Sequence, residues 1–330
     1  MTSSEISTPA EESEPIDLVY LWVDGGDPAF RALKREYLGR EAGRARDEEL
    51  SGDEARYLQM GEITYSVHSA RRFAPWIRNI HIVVAPGQKP PVDLDDPRIR
   101  LVEHPTIIPA EFLPTFASPS IEPFVHRVPG LSEIFIYAND DILFWRPTPR
   151  EHFAREGRLQ LRGRHQSRLR ARFEAAIKRG HDRIVGRTAL LLYDHGIRPV
   201  HIPEHSFQVM RRSTCETVWA ELGEPLRAAV AMRFRDDDRC LSWQTMVDSF
   251  EERDHPTDTV RTFGGAQISF AHVATSRFDA LRCRMRLAFL DVYAPRTICF
   301  NTVPSAWHER IRGVLDRHYG FDRGPGGPAM

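Results

Sequence analysis

Apolar residues in this chain gather into short runs that end at turn residues, and the runs alternate with stretches of helical spacing. Ile16 to Val23 (IDLVYLWV) is β-branched and aromatic and closes on Asp24-Gly25-Gly26, which predicts a buried strand. Pro28 then permits a helix through Tyr37, because the missing N–H of proline costs nothing at a first helical position. Arg44 to Leu58 is charged and predicts a surface helix or loop. Glu62 to Phe73 places Ile63, Val67 and Ala70 on one helical side and stops before Pro75. Ile80 to Val84 (IHIVV), Ile99 to Val102 and Ile134 to Tyr137 (IFIY) predict further strands. Leu190 to Tyr193 reads as a short core strand, and Leu281 to Ala288 and Glu309 to His318 as helices.

Strands alternating with helices predict an α/β fold with a largely parallel sheet. In such folds ligands sit beyond the carboxyl ends of the strands. Asp24 follows the first predicted strand, and Asn139-Asp140-Asp141 follows the strand at Ile134, so both acidic groups are expected on one rim. Residues 1–14 and 319–330 are polar or Gly/Pro-rich and predict disordered tails around one unit, 15–318.

Charge narrows the partners. A formal net charge of −1 gives no reason to expect nucleic acid. Lysine occurs only at Lys34, Lys89 and Lys178, so arginine supplies nearly all the positive charge. Arg158 to Arg187 is strongly basic, which predicts a solvated helix face or a patch for acidic lipid or polymer. No stretch approaches the roughly 18 apolar residues that span a bilayer, and the start lacks the basic and apolar parts of a signal peptide. The expected address is therefore cytoplasmic, with peripheral membrane association at the inner face left open. Cys215, Cys240, Cys283 and Cys299 form no C-x-x-C pair and predict reduced, buried thiols.

The candidate chemistry starts at Asp140 and Asp141. Two carboxylates 4 Å apart repel by about 4 kcal/mol at an effective dielectric of 20. Water, a proton or a bridging cation must relieve that repulsion. Mg²⁺ takes one or two carboxylates plus phosphate oxygens, the arrangement that neutralises a diphosphate during transfer. The competing reading is an Asx turn closing a strand. Asp24-Gly25-Gly26-Asp27-Pro28 divides in the same way between a turn with a helix start and a functional acid. His201 and His205 stand four apart in VHIPEH, with Pro203 between them arguing against one helix face. A single histidine acting as general base fits better, since its pKa lies near neutrality. Arg233 and Arg235 precede Asp236-Asp237-Asp238, a run that solvation alone would also explain.

Together these segments resemble the Stealth family, which includes bacterial capsular-polysaccharide phosphotransferases and the animal N-acetylglucosamine-1-phosphotransferase of lysosomal targeting. IDLVYLWVDGGDP from Ile16 to Pro28 is similar to the first block of the family. EITYSVHSARRFAPWIRNIHIVVAPGQ from Glu62 and LPTFASPSIEPFVHRVPGLSEIFIYANDD ending at Asp141 are similar to the second. HIPEH at His201 and RFRDDD at Arg233 resemble the third more loosely, and Cys299-Phe300-Asn301-Thr302 resembles the fourth. Thr64, His68, Ala117 and Glu204 depart from the usual residues, and Thr302 replaces an acid.

The resemblance implies a Rossmann-like, glycosyltransferase-A-type fold. It also implies transfer of a sugar-1-phosphate, such as N-acetylglucosamine-1-phosphate, from a nucleotide sugar (a UDP-sugar in the first instance) to a saccharide hydroxyl in capsule or cell-surface polysaccharide synthesis. On that basis Asp140 and Asp141 are the expected ligands of Mg²⁺ or Mn²⁺, and Asp24, Asp141, His201 and Arg235 the catalytic group. Gln88, Glu122, His126, Arg127, Asn139 and Asn301 would position donor or acceptor. The alternatives are a glycosyltransferase of the same fold that releases a nucleoside diphosphate, and an inactive glycan-binding relative, to which Thr302 points.

Overall fold

The computed structural model describes residues 14–41, 60–260, 267–269, 277–301 and 303–321. Most of the tails, the charged stretch at Arg44 and Thr302 lie outside the described residues.

The central sheet has the order β3-β2-β1-β4-β9. Its strands are β1 (Ile16–Leu21), β2 (Ile80–Val84), β3 (Ile99–Glu103), β4 (Ile134–Asn139) and β9 (Gln208–Arg211). The first four run parallel, and β9 lies antiparallel against β4 with Gln208 opposite Tyr137. Order 3-2-1-4 is that of a Rossmann-like half, and the antiparallel fifth strand makes the sheet mixed but mostly parallel, which fits a glycosyltransferase-A-like α/β fold.

β1 has no exposed position, because both faces of the sheet are covered. Val19 and Leu21 pack on one side with Phe124, Phe135, Tyr137 and Trp243. Leu18 and Tyr20 pack on the other with Ile63, Val67, Ile82 and Ile136. Helix α1 (Pro28–Glu41) and helix α2 (Glu62–Phe73) follow β1 before the chain enters β2. The predicted bounds of α2 and β2 match the structure, and α1 extends one turn past Tyr37.

Two smaller sheets flank this one. β5 (Ile142–Phe144) leaves the turn after β4 and joins β12 (Thr297–Asn301) and β11 (Gln267–Ser269). β6 (Ala154–Arg155), β7 (Arg158–His165), β8 (His201–Pro203) and β10 (Thr257–Val260) form the other.

The basic region corrects two expectations. It opens as strand β7, and only then forms α3 (Arg168–Ile177) and α4 (His181–Asp194). Leu190 to Tyr193, expected as a core strand, is the last turn of α4, where Leu192 continues the buried side of Ile184, Val185, Thr188 and Ala189. Four apolar residues in a row fit either element, and the spacing of the preceding turns decides for helix. Helices α5 (Arg212–Glu221), α6 (Gly223–Val230), α7 (Trp243–Asp254), α8 (Arg277–Ala288) and α9 (Ser305–Tyr319) complete the chain. The last two contain the helices predicted at Leu281 and Glu309.

Candidate active site

Register explains what the strand ends bring together. Leu21 of β1 stands beside Asn139 of β4, so Asp24 and Asp140-Asp141 leave adjacent strands in one direction. Because β9 is antiparallel, its first residue, Gln208, lies near the carboxyl end of β4. The loop that precedes it therefore delivers His205 to Asp141, with Nε2 3.8 Å from Oδ2. β12 pairs Cys299 with Ile142, and the Cys299 thiol donates to Asp141 Oδ2 at 3.4 Å.

Asp140 and Asp141 form the two-residue turn between β4 and β5, so they do occupy a turn. Their environment is not that of a satisfied Asx turn. Burial, then Asp141, then Glu62 push the Asp140 carboxyl well above the usual carboxylate range. Glu62, at the start of α2, is itself pushed up by burial, with Asp141 adding to it. Asp141 Oδ1 is buried and accepts no hydrogen bond. Three neighbouring carboxyl groups and an unsatisfied buried oxygen are the arrangement that a divalent cation relieves.

Glu122 extends the cluster. Tyr137 Oη lies 3.2 Å from Glu122 Oε1 and 2.9 Å from Asn139 Oδ1, so its one proton serves either acceptor. Burial raises the Glu122 carboxyl, while Gln244, Tyr137, Arg235 and His205 oppose that rise. Burial disfavours the charged form of His205, but Asp141 and Glu122 outweigh it and hold the imidazole above its ordinary pKa. Its side chain is 35% exposed and open to a reacting group. Glu122, Asn139, Asp140, Asp141, His205 and Arg235 thus share one electrostatic neighbourhood.

The other expected residues are placed elsewhere or otherwise engaged. His201 is fully buried on β8; its Nδ1 bonds Glu252 at 2.9 Å and its Nε2 is 3.7 Å from Asp248. Gly163 on β7 leaves room for that ring, since a Cβ there would lie 2.3 Å from His201 Nε2. The imidazole is thus enclosed between two acids, whereas the expected role as base requires a ring open to a substrate hydroxyl. Gln88 spends its whole amide on a backbone: Oε1 accepts from Asp24 N at 2.8 Å, and Nε2 donates to Asp24 O at 3.0 Å. These two bonds hold the Asp24 loop in place.

Asp24 Oδ1 accepts from Gly26 N at 2.8 Å, and Asp27 Oδ1 caps α1 by accepting from Phe30 N at 2.6 Å. The turn reading of that segment is therefore realised, while the second oxygen of Asp24 stays on the rim. His126 and Arg127 run away from Glu122 towards the amino end of β4. They line an open depression of about 590 Å³ with Gly130, Arg212 and Trp219. His126 stacks on Trp243, and burial followed by Arg127 pushes its pKa down to about 3. Asn301 ends β12, on the strand that carries Cys299.

Two segments singled out in the sequence meet beside this rim. Phe116 N donates to Arg233 O at 2.8 Å, Arg233 donates to Pro114 O at 2.6 Å, and Phe116 stacks on Phe234 with ring centroids 5.2 Å apart. LPTF and RFR are thus one docked pair of loops, and Arg235 follows directly.

The fold and the carboxylate cluster at its strand ends define a glycosyltransferase-A-like α/β protein with an acidic site on the rim of a Rossmann-like sheet. The chain belongs to the Stealth family: residues 14–42 match Stealth protein conserved region 1, and residues 56–161 match conserved region 2. It is 31% identical over 223 residues to the capsular polysaccharide phosphotransferase LcbA of Neisseria meningitidis, covering 67% of this chain and 60% of that protein. It is 30% identical over 319 residues to the exopolysaccharide phosphotransferase CpsY of Mycobacterium tuberculosis, covering 92% of this chain and 56% of that one. Over 141 residues it is 43% identical to Cps1A of Actinobacillus pleuropneumoniae, covering 42% and 38%. The chain therefore spans less than two thirds of each of these relatives. Among solved structures it is similar to the glycosyltransferase GlyE of Streptococcus pneumoniae, with a TM-score of 0.44 and 9% identity over 94% of this chain and 61% of that one. A likeness that distant adds nothing to the topology.

Proposed function

We propose that this protein transfers a hexose-1-phosphate from a nucleotide diphosphosugar to a hydroxyl of a saccharide acceptor, forming a phosphodiester in capsule or cell-surface polysaccharide synthesis. The observation that carries the reading is the acidic cluster of Asp140 and Asp141 at the strand ends with Glu62 of α2 beside them, in which Asp141 Oδ1 is buried without a hydrogen bond and His205, Glu122 and Arg235 are neighbours. Family membership and the phosphotransferase relatives support it.

The residues fit a divalent cation. Asp141 and Asp140 would hold Mg²⁺ or Mn²⁺ through carboxylate oxygens, and the ion would neutralise diphosphate charge. Asp141, His205 and Cys299 also bring donor atoms within 4.8 Å of one another. A hard ion prefers the carboxylates and leaves the imidazole free, whereas a softer ion would take imidazole and thiol. The proposed base role of His205 goes with the hard ion.

In the reaction the acceptor oxygen attacks the phosphorus nearer the sugar, and His205 takes the hydroxyl proton. The bond from that phosphorus to the bridging oxygen breaks, and a nucleoside monophosphate leaves with that oxygen. The sugar–oxygen–phosphorus linkage stays intact. Arg235 stabilises charge on the phosphoryl oxygens, and Asp141 holds His205 in place through their contact. Glu122 and Asn139 would face donor or acceptor, and Asp24 would close the rim from β1.

The test is nucleotide release from a panel of UDP-, GDP- and CDP-sugars with short saccharide acceptors, read by mass. A nucleoside monophosphate is expected. A nucleoside diphosphate would move the site to glycosyl transfer, and tight donor binding without turnover across acceptors would favour an inactive binding protein.

A further inference from the structure

Helix α3 presents an apolar stripe to solvent. Leu169, Phe173 and Ile177 recur every four residues on one side of the helix and are 79%, 55% and 66% exposed. The opposite side is held firmly. Ala171 and Glu174 are buried, and a Cβ at Gly186 of α4 would lie 2.6 Å from the Ala175 backbone nitrogen, so the two helices touch backbone to backbone. Ser167 caps the helix by accepting from Arg170 N. Glu174 accepts from Arg170 Nε at 2.8 Å and from Gln166 Nε2 at 2.9 Å. The stripe is therefore displayed by a fixed helix.

The flanks of the stripe are basic. Residues 158–187 contain ten Arg and Lys against two acids, in a chain whose formal net charge is −1. Arg168 is tied to Asp194 and Arg170 to Glu174, but Arg172, Lys178 and Arg179 have no acidic partner among the described residues. An apolar stripe bordered by long cationic side chains matches an anionic bilayer surface: the rings and aliphatics enter the acyl boundary while the charged ends stay with the headgroups. The same charge opposes a second copy, since pairing two such helices would bring like charges together. A soluble anionic polymer would use the arginines and leave the stripe wet.

We propose that α3 is a membrane-docking helix that seats the protein on anionic phospholipid. The inference does not depend on the transfer reaction, so either can fail alone.

The experiment is co-sedimentation of the full chain with vesicles of phosphatidylcholine, with and without phosphatidylglycerol. Three variants accompany the wild type: Leu169→Ser/Phe173→Ser/Ile177→Ser, Arg172→Glu/Lys178→Glu, and Leu281→Ser/Met285→Ser/Phe289→Ser on a second exposed apolar stripe among the described residues. The positions of the first two variants are exposed and lie on α3 or, for Lys178, directly after it, and circular dichroism checks that each variant is folded. Expected is salt-sensitive binding to the anionic vesicles alone, weakened about tenfold or more by the apolar set and about fivefold for each unit of positive charge removed, two units per reversal. The third variant should bind like wild type. The proposal is overturned by no binding, or by loss only in the third variant. Binding that the apolar set leaves intact, and that soluble polyphosphate abolishes, would also overturn it in favour of a polyanion site. So would a wild-type dimer that the apolar set dissolves without any lipid binding.

Discussion

The two ends of β1 and β4 each hold acidic groups, buried at one end and half-buried at the other, and they are treated in opposite ways. At the amino end, Asp17 is completely buried and fully served. It accepts from Arg78 Nε at 2.9 Å and Nη2 at 2.6 Å, from Asn79 N at 3.0 Å, and from Ser132 N at 2.9 Å. Burial alone would raise its pKa, but Arg78, His81 and Ser132 reverse that and hold it far below the carboxylate range. At the carboxyl end, Asp140 is pushed up and Asp141 keeps a buried oxygen without a partner. One end is a clamp that ties β1 to the chain entering β2 and β4; the other has been left unsatisfied by the protein itself. An acid whose bonds are all internal stabilises the fold, and one that lacks them has its missing partner in a ligand.

This contrast yields predictions, beginning with the largest effect. Asp141→Asn should lower transfer by about 100- to 1000-fold while the melting temperature stays near that of wild type. Asp17→Asn should do the reverse, because it leaves Arg78 with a neutral partner. A loss of about 3–5 kcal/mol in a denaturant titration is expected, with kcat of the folded fraction retained. Equal stability losses in the two variants would erase the distinction between the ends.

His205→Ala should cost about a hundredfold in kcat. His201→Gln should instead act through stability, by disturbing the Glu252 and Asp248 pairings. A His201 variant that stays as stable as wild type but loses kcat would restore it as the base.

The pH dependence separates the ends more finely. Asp17 has a depressed folded pKa, so its contribution is fully present above the ordinary carboxylate range and is lost as pH falls through and below that range. Asp140 is raised, so its charged form opposes folding at neutral pH, and that opposition disappears as pH falls through its folded pKa. Asp140→Asn should accordingly raise the melting temperature by about 2–4 °C at neutral pH. His205 is raised as well: its charged form adds stability below its ordinary pKa, and the gain is lost as pH rises through the folded value. As a base it must be neutral, so kcat should climb with pH through an apparent pKa above about 6.5, and Glu122→Gln should move that limb downward. A limb that is identical in Glu122→Gln would detach His205 from the cluster.

Much of this arrangement was legible in the sequence. Strand-ending acids at Asp24 and Asn139-Asp140-Asp141 could be read because apolar runs of strand length stop at them, and a parallel sheet places such stops on one rim. Which of the two histidines stands beside Asp141 could not be read. HIPEH offers two histidines, and the choice between them rests on β8 burying one against Glu252 and on β9 running antiparallel so that the other faces Asp141. Both are tertiary pairings that no local spacing encodes. Glu204 is one of the departures from the segment that HIPEH resembles, and the imidazole beside Asp141 belongs to the next residue. Glu62 looked like an ordinary first-turn acid of α2, and Cys299 like a bland buried thiol; each joins the site only through packing. Nor does any local spacing encode the turn of the Gln88 amide to the Asp24 backbone, or the place of His126 in the depression near the amino end of β4.

The most direct measurement uses a nucleotide sugar carrying ¹⁸O in the oxygen that joins sugar to phosphorus, with wild type and Asp141→Asn side by side. The account predicts that the label appears in a phosphodiester-linked product while an unlabelled nucleoside monophosphate is released, and that Asp141→Asn lowers both together by about 100- to 1000-fold. Label recovered in a released nucleoside diphosphate, or full turnover by Asp141→Asn, would contradict it.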